Sequence, residues 1–179
     1  MEFKFIKQNI PEVILVKPSI FEDARGSFAE TYRKSAFVQA GITDDFVQDN
    51  SALSKQNVLR GLHYQAEPKA MAKLVRVVEG EILDVAVDIR KSSASFGQYV
   101  SVVLSSHNNY QLYIPKGFAH GYLVLSPTAT VVYKTSCEYS AEHDFGVLYN
   151  DPDINIDWGK AEFIISEKDK QQPPLKDLK

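Results

Sequence analysis

The sequence predicts an all-β protein, folded as a sandwich or a closed barrel, with only a few short helices. Short runs rich in Val, Ile, Tyr and Phe recur along the chain, and Gly, Pro, Asn and Ser residues separate them. In the run 82–90, Val85, Val87 and Ile89 alternate with charged residues, which is the pattern of a strand with one buried face. About six such strands within roughly sixty residues are typical of a sandwich or a barrel.

Three turns between neighbouring runs predict β-hairpins. The predicted hairpins join 73–78 to 82–90, 99–104 to 110–114, and 122–125 to 129–134. The turns between these runs are rich in Gly, Ser, Asn and Pro, the residue types that supply the backbone conformations of tight turns. We therefore expect the two strands of each pair to lie side by side.

Only the segment 35–40 clearly predicts a helix, with Ser35 as the candidate N-cap and Gly41 at its end. The 179 residues are enough to bury a substantial core. Neither an internal repeat nor a linker interrupts the chain before its polar end. We expect one domain over 1–179, with a core over about 5–169 and a tail over 170–179 that is extended or packed on the surface.

The composition argues against several classes of partner and site. The formal net charge is −3 and the pI is about 5.8, so no basic field favours nucleic acid. The N-terminal residues lack the apolar stretch of a signal peptide, and no apolar run approaches the roughly 18 residues of a membrane span. The single cysteine, Cys137, excludes an internal disulfide and a multi-thiolate metal site. We therefore expect a cytoplasmic protein with no nucleic-acid or membrane partner.

Two of the four histidines lie in compact strand-like segments, His63 in 58–65 and His120 in 114–121. They could hold a metal ion, or one of them could move a proton. A stable metal site needs three or four converging ligands. Gln65 stands where the second histidine of a His-x-His pair would be, and the remaining two histidines lie in polar segments that we expect to face solvent. A metal site is therefore the less favoured interpretation.

Proton transfer needs a base held by a carboxylate, an acid on the opposite face, and a cation near the developing negative charge. The candidates are Asp84, Asp88 and Asp169 as carboxylates, Tyr133 and Tyr139 as acids, and Lys73 and Arg60 as cations. Each also has a structural alternative, since Tyr133 could pack a barrel wall and Lys73 is solvated by default. Gln48 and Asn50 share a strand face that could bind a polar ligand or pair an edge, and 23–28 is by default a surface turn. Spacing alone does not assemble these groups.

Taken together, a series of segments is far more specific than any one of them. The series comprises Asp23-x-Arg25-Gly26-x-Phe28-x-Glu30, 46–50, 58–65, 73–75, 84–90, 96–97, 114–121, 133–134, 151–152, 156–158 and Ser166-x-Lys168-Asp169. In order and spacing it resembles the dTDP-4-dehydrorhamnose 3,5-epimerases, from about Phe5 to Asp169. The resemblance implies a cupin-type jelly-roll β-barrel that uses no metal or other cofactor. It also implies a homodimer that exchanges N-terminal strands.

The family acts on dTDP-4-dehydro-6-deoxy-D-glucose and inverts C3 and C5 to give dTDP-4-dehydro-β-L-rhamnose, in dTDP-L-rhamnose biosynthesis. Both carbons are α to the C4 ketone, so loss of either proton gives an enolate. By resemblance, His63 is the proton acceptor, Asp169 orients it, Tyr133 is the proton donor and Lys73 stabilises the C4 oxyanion. The remaining matches are substrate-binding positions, namely Arg25, Glu30, Gln48, Asn50, Arg60, His120, Lys168 and Tyr139, the last of which stacks on thymine. The segment around Arg25 is expected to reach the partner subunit's site.

Two positions depart from the family pattern. Asp144 stands where some members have a substrate-contacting Glu, which leaves that contact open, and Gly159 replaces a common Pro, which leaves the C-terminal packing open. Alternatives to a double epimerase also remain. They are a mono-epimerase or ketoisomerase acting on a related nucleotide ketosugar, a metal-dependent cupin enzyme, and a catalytically silent sugar-binding barrel.

Overall fold

The computed structural model describes residues 2–178, and most of its regular structure is β-strand. In chain order, the strands are β1 (Phe3–Lys7), β2 (Ile14–Pro18), β3 (Ile20–Asp23), β4 (Gly26–Ala29), β5 (Gln48–Lys55), β6 (Leu59–Gln65), β7 (Lys73–Glu79), β8 (Glu81–Asp88), β9 (Tyr99–Ser105), β10 (Gln111–Ile114), β11 (Phe118–Val124), β12 (Thr128–Thr135) and β13 (Asp144–Gly146). The helices are α1 (Lys34–Gln39), α2 (Glu167–Lys170) and 3-10 turns at Ala141–His143 and Leu175–Asp177. The prediction of an all-β protein with few short helices is confirmed.

Two large antiparallel sheets face each other. One has the order β1-β2-β10-β7-β12-β5 and the other β13-β6-β11-β8-β9, while β3 and β4 form a separate two-stranded hairpin. From β7 to β12 the chain crosses between the two sheets at every connection except the one from β8 to β9, which are neighbours in the same sheet. The main core lies between the sheets, where Val75 and Val77 of β7 pack with Ile82 and Ala86 of β8.

The three predicted hairpins are therefore wrong. In each pair the two strands lie in different sheets, and the turn between them is a corner of the sandwich. Turn residues permit both outcomes, and burial of both strands against one core favours the corner. At the first corner Gly80 has φ +79°, and a Cβ built there would lie 2.0 Å from the carbonyl oxygen of Thr128. Only glycine fits this close approach.

The outer face of the β13-β6-β11-β8-β9 sheet is also covered. Val85 and Val87 of β8 pack there with Trp158, Leu175 and Leu178 from the C-terminal part of the chain. The expectation that 82–90 has only one buried face is therefore wrong. The expectation for 170–179 is also wrong in part, because its two leucines enter a core cluster instead of lying on the surface.

The helix α1 begins one residue earlier than predicted and ends at Gln39, followed by Ala40 as C-cap and then Gly41 at φ +89°. Its N-cap is Arg33, with no side-chain cap, so the prediction of Ser35 as N-cap is wrong. The helix is held by Phe37, whose buried ring packs on Phe3 and Phe5 at centroid distances of 5.4 and 5.2 Å. Tertiary packing of one aromatic ring thus fixes the helix where no capping side chain does.

None of the helices within residues 2–178 has the length and apolarity needed to span a lipid bilayer.

Candidate active site

A cavity of about 210 Å³ opens at the end of the sandwich where β7 begins and β6 and β12 end. It is lined by Gln48, Asn50, His63, Tyr64, Gln65, Met71, Lys73, Tyr133, Thr135, Tyr139 and Asp144. The predicted base, oxyanion stabiliser and proton donor are therefore at one cavity, although three different strands carry them. The predicted Gln48, Asn50, Tyr139 and Asp144 line it as well.

His63 and Asp169 form a hydrogen-bonded pair at this cavity. The Nε2 atom of His63 lies 2.8 Å from Oδ1 of Asp169, a side chain that is only 6% exposed. A carboxylate can only accept a hydrogen bond, so Nε2 of His63 carries the proton and Nδ1 is left with a basic lone pair. Asp169 is the carboxylate paired with His63, because Asp84 and Asp88 bind other groups.

Two backbone features hold Asp169 in place. The Ser166 hydroxyl caps α2 by accepting a hydrogen bond from the Asp169 N–H at 3.1 Å, and the Gly61 N–H donates to Oδ2 of Asp169 at 3.3 Å. Burial alone would raise the pKa of Asp169. The hydrogen bond and charge of His63, together with these backbone and hydroxyl groups, outweigh burial and lower the pKa below its usual value. Asp169 is therefore a fixed carboxylate at neutral pH.

Lys73 is the first residue of β7 and is buried, with only 9% of its surface exposed. The alternative expectation that Lys73 is a solvated surface lysine is therefore wrong. Its Nζ lies 3.4 Å from the backbone oxygen of His63. Burial lowers the pKa of Lys73 to about 8, although the charges of Asp84 and Asp144 raise it. At neutral pH it is a desolvated ammonium group, whose charge acts strongly on any anion that forms beside it.

Tyr133 lies on β12, opposite Val75 of β7 and Asn50 of β5. Burial raises the pKa of its phenol, and the positive charge of Arg60 opposes that effect. The Tyr133 ring also packs against the main core. Tyr133 therefore both packs the wall of the barrel and lines the cavity. A protonated phenol at this position is able to donate a proton at neutral pH.

Tyr139 and Asp144 line the cavity, and Lys168 lies beside it, bonded to Asp144. We call these three residues the mouth of the cavity. Oδ2 of Asp144 accepts hydrogen bonds from Nζ of Lys168 at 2.7 Å and from the Tyr139 hydroxyl at 3.4 Å. The bond to Asp144 raises the pKa of Lys168, which therefore stays charged. Tyr139 is 60% exposed, so its ring is available for stacking. On the cavity wall, Gln48 donates to Asn50 at 3.0 Å, so the two predicted polar residues bind each other.

His120 lies on β11 opposite His63 of β6 but is not among the residues that line the cavity. Its Nε2 lies 2.8 Å from Oδ1 of the fully buried Asp84. Burial lowers the pKa of His120, although the charge of Asp84 raises it. Within the described residues, Oδ2 of Asp84 has no hydrogen-bond partner. The structure thus contains a second imidazole–carboxylate pair behind the first.

Besides His120 and Lys168, three predicted substrate-binding residues do not line the cavity. Arg25 lies in the exposed turn between β3 and β4, where it pairs with Asp23 at 2.6 Å and its side chain is 90% exposed. Glu30 lies 3.6 Å from a guanidinium nitrogen of Arg33. Arg60 donates to the Ser54 hydroxyl at 3.0 Å. Of these three residues, Arg60 acts electrostatically on Tyr133.

Four cavity residues were missed by the sequence interpretation, namely Tyr64, Gln65, Met71 and Thr135. Two of them carried a signal, because side chains two residues apart on a strand share a face. Gln65 follows His63 by two positions on β6, and Thr135 follows Tyr133 by two on β12. Strand alternation around the predicted catalytic residues would have found both.

The described residues 2–178 contain no group of three or more His, Cys, Asp or Glu side chains placed to hold a metal ion. His63 and His120 instead each bind a carboxylate of their own. Cys137 is a free, half-buried thiol.

Residues 7–177 match the sequence profile of the family described as dTDP-4-dehydrorhamnose 3,5-epimerase. The chain belongs to this family. A dTDP-4-dehydrorhamnose 3,5-epimerase of Shigella flexneri is 52% identical over 92% of the chain and 91% of that protein. The family resemblance inferred from the sequence is confirmed.

Solved structures of epimerases have the same fold. The epimerase of Legionella pneumophila Philadelphia 1, in complex with dTDP-4-keto-L-rhamnose, superposes with a TM-score of 0.96 at 44% identity, covering 99% of this chain and 95% of that one. A 3'-monoepimerase of Streptomyces bikiniensis, in complex with dTDP-quinovose, superposes with a TM-score of 0.89 at 34% identity, covering 94% and 86%. The predicted cupin-type fold is confirmed by these epimerase structures.

Proposed function

We propose that this protein is a dTDP-4-dehydrorhamnose 3,5-epimerase that works by enolisation, with His63 as its base. The observation that carries the proposal is the His63–Asp169 pair at 2.8 Å beside a cavity that also contains the buried Lys73. The substrate is a dTDP-linked 4-keto sugar, whose C3 and C5 protons are acidified by the C4 ketone. The product continues into dTDP-L-rhamnose biosynthesis.

In the proposed mechanism, Nδ1 of His63 removes the proton from C3 or C5. The electron pair of the broken C–H bond becomes the enolate, and the negative charge gathers on O4. The Lys73 ammonium stabilises that charge, and its burial supports this role because desolvated charges interact strongly. The Tyr133 phenol returns a proton to the opposite face of the same carbon, so the configuration inverts. No step uses a metal ion or another cofactor.

The proposed nucleotide site is the mouth of the cavity. The exposed ring of Tyr139 stacks on thymine, and Lys168, with Arg60, neutralises the diphosphate. Gln48 and Asn50 hydrogen-bond the ligand from the cavity wall. His120, opposite His63 on the adjacent strand, contacts the sugar. Asp144 holds Tyr139 and Lys168, which supports an indirect role for its carboxylate.

The proposed assembly is a homodimer with exchanged N-terminal strands. The β3–β4 hairpin exposes Ile20, Phe21 and Phe28, and a two-stranded hairpin is only marginally stable when nothing packs on it. Arg25, at its tip, does not line the cavity of its own chain. A partner subunit that receives this hairpin would gain Arg25 and Glu30 as substrate contacts. One domain over 1–179 and a cytoplasmic location remain part of this proposal.

Purified protein should convert dTDP-4-dehydro-6-deoxy-D-glucose, and NMR coupling constants of the product ring protons should report inversion at both C3 and C5. Inversion at one carbon would make the protein a mono-epimerase, as the likeness to the Streptomyces bikiniensis enzyme allows. A displaced carbonyl would make it a ketoisomerase. Binding with no conversion would leave a silent sugar-binding barrel and contradict the proposal.

A further inference from the structure

The side chain of Gln65 is buried at the end of β6, where only 6% of the residue is exposed. Its Nε2 donates to the backbone oxygens of Lys69 at 2.7 Å and Glu138 at 3.3 Å, and its Oε1 accepts from the Ser140 N–H at 2.7 Å. Both donors and one acceptor of the carboxamide are thus used by backbone groups. Two of these three contacts fall on the residues that flank Tyr139.

A second glutamine holds the same segment from the other sheet. Oε1 of Gln48 on β5 accepts the Tyr139 N–H at 3.0 Å. The successive amides of Tyr139 and Ser140 therefore donate to side chains that come from the two facing sheets. The Tyr139 ring itself has little else to fix it, because it is exposed and the hydrogen bond from its hydroxyl to Asp144 is long, at 3.4 Å, and therefore weak.

We propose that Gln65 is a positioning residue for the nucleotide: its carboxamide clamps the backbone of 138–140 and thereby holds the Tyr139 ring ready to stack on thymine. This inference rests on the proposed role of Tyr139. A ring that is already fixed when the ligand arrives loses less conformational freedom on binding, so the clamp strengthens binding. Loss of the clamp weakens nucleotide binding and leaves proton transfer at His63 largely intact.

The test uses the full-length protein and dTDP as the probe. Gln65→Met keeps the length of the side chain and removes its hydrogen bonds. The dissociation constant of dTDP, measured by calorimetry, and the KM for the dTDP-sugar should both rise about tenfold, whereas kcat should change less than about twofold. An unchanged dissociation constant would overturn the proposal.

Asn108 offers a matched control. Its carboxamide clamps the β9–β10 turn, since it accepts hydrogen bonds from the backbone N–H groups of Ser105 and Tyr110 at 3.1 and 2.9 Å and donates one to the backbone oxygen of Val103 at 3.0 Å. Asn108 does not line the cavity. Asn108→Leu removes a comparable set of hydrogen bonds and should leave dTDP binding unchanged. An equal loss of dTDP affinity in both variants would show general loosening of the fold and would contradict a specific role for Gln65.

A double-mutant cycle separates positioning from direct contact with the ligand. If Gln65 acts through Tyr139, then Gln65→Met should weaken dTDP binding little further in a Tyr139→Ala background. The same tenfold loss in both backgrounds would mean that Gln65 acts independently of Tyr139. Because Gln65→Met could fail to fold, hydrogen exchange of the unliganded wild-type protein provides a second measurement. Slow exchange of the Tyr139 and Ser140 amides is expected, and exchange as fast as in an unstructured peptide would overturn the proposal.

These results stay separable from the proposed function. A wild-type protein that binds dTDP but does not epimerise the sugar would contradict the proposed function alone, since the clamp is measured by the affinity for dTDP. An active wild-type protein whose affinity for dTDP is the same in Gln65→Met would contradict the clamp alone.

Discussion

The imidazole of His63 and the carboxylate of Asp169 lie 2.8 Å apart although 106 positions separate them in the chain. Strand β6 carries the histidine, and the short helix α2 brings the carboxylate back to the end of the sandwich. The N–H of Gly61, two residues before His63, donates to the second carboxylate oxygen. Base and orienting group are thus fixed to one another by a single local network.

Asp169→Asn should lower kcat by about 10²–10⁴-fold with little change in dTDP affinity. The asparagine amide donates to Nε2 of His63, which moves the imidazole proton to Nδ1 and removes the basic lone pair from the cavity. The measurement is steady-state kinetics together with dTDP titration. Asp151→Asn is a suitable control, because Asp151 is a buried carboxylate that does not line the cavity. It accepts a hydrogen bond of 2.7 Å from the backbone N–H of Leu175.

The same variant has a pH signature in stability. The folded pKa of Asp169 is lowered, so its carboxylate contributes stability that is present above the unfolded pKa and lost as pH falls through the folded pKa. Urea unfolding should therefore show the wild-type protein more stable than Asp169→Asn at neutral pH, with the difference shrinking in acid. A difference that grows in acid would contradict an ionised Asp169 as the partner of His63.

Lys73→Met should abolish epimerisation, because no cation remains to stabilise the O4 enolate. In the wild-type protein, whose Lys73 has a pKa of about 8, the rate should fall as pH rises above that value and the ammonium is lost. A pH–rate profile checks this, and a Lys73→Met protein that retains activity would contradict the role of the ammonium.

Loss of activity in Lys73→Met will not be loss of the fold. Folding lowers the pKa of Lys73 from the 10.5 of a free side chain to about 8, which at neutral pH costs stability on the order of 3 kcal/mol. The variant should therefore be more stable than the wild-type protein at pH 7. The advantage should shrink between about pH 8 and 10.5, where the wild-type lysine is neutral when folded but charged when unfolded.

Tyr133→Phe should impair inversion more than proton exchange. The phenyl ring keeps the packing against the core but cannot return a proton to the far face of the carbon. His63 can still remove the proton and put one back on the same face. In heavy water, deuterium should enter unconverted substrate while product formation falls. Equal loss of both signals would assign Tyr133 a structural role instead.

Mixing two inactive variants tests the exchanged dimer. If Arg25 serves the partner subunit's site, then Arg25→Ala and His63→Asn protomers should complement each other. Each mixed dimer has one site with both residues intact, so refolding an equal mixture should restore up to about a quarter of wild-type activity in a symmetric two-fold assembly. If native mass spectrometry detects mixed dimers but the mixture remains inactive, Arg25 acts in the site of its own subunit or in no site at all.

Strands were the most predictable part of this fold, and their partners the least. The alternation of Val85, Val87 and Ile89 marks a strand from sequence alone, because side chains on a strand alternate between faces. Whether Glu79-Gly80-Glu81 is a hairpin or a corner depends on which sheet each strand joins, and that is decided by burial over the whole molecule. The alternation also predicts only one buried face for this strand, whereas Asp84 and Asp88 on its other face are buried as well.

At the site, sequence reasoning found side-chain types but not their arrangement. From the residues alone, three aspartates were equal candidates to orient a histidine, and only the family resemblance favoured Asp169. The folded chain pairs Asp169 with His63 and Asp84 with His120. The burial of Lys73 was also beyond local sequence, since residues distant in the chain surround it. The family resemblance supplied the catalytic roles, and strand alternation would have added Gln65.

Proton exchange in heavy water tests the central claim, that His63 removes the protons from both C3 and C5. The dTDP-4-keto sugar is incubated with wild-type protein or with His63→Asn, and NMR follows the deuterium content at each carbon. We expect deuterium at both C3 and C5 with the wild-type protein and at neither carbon with His63→Asn. Deuterium at both carbons with His63→Asn would contradict the account.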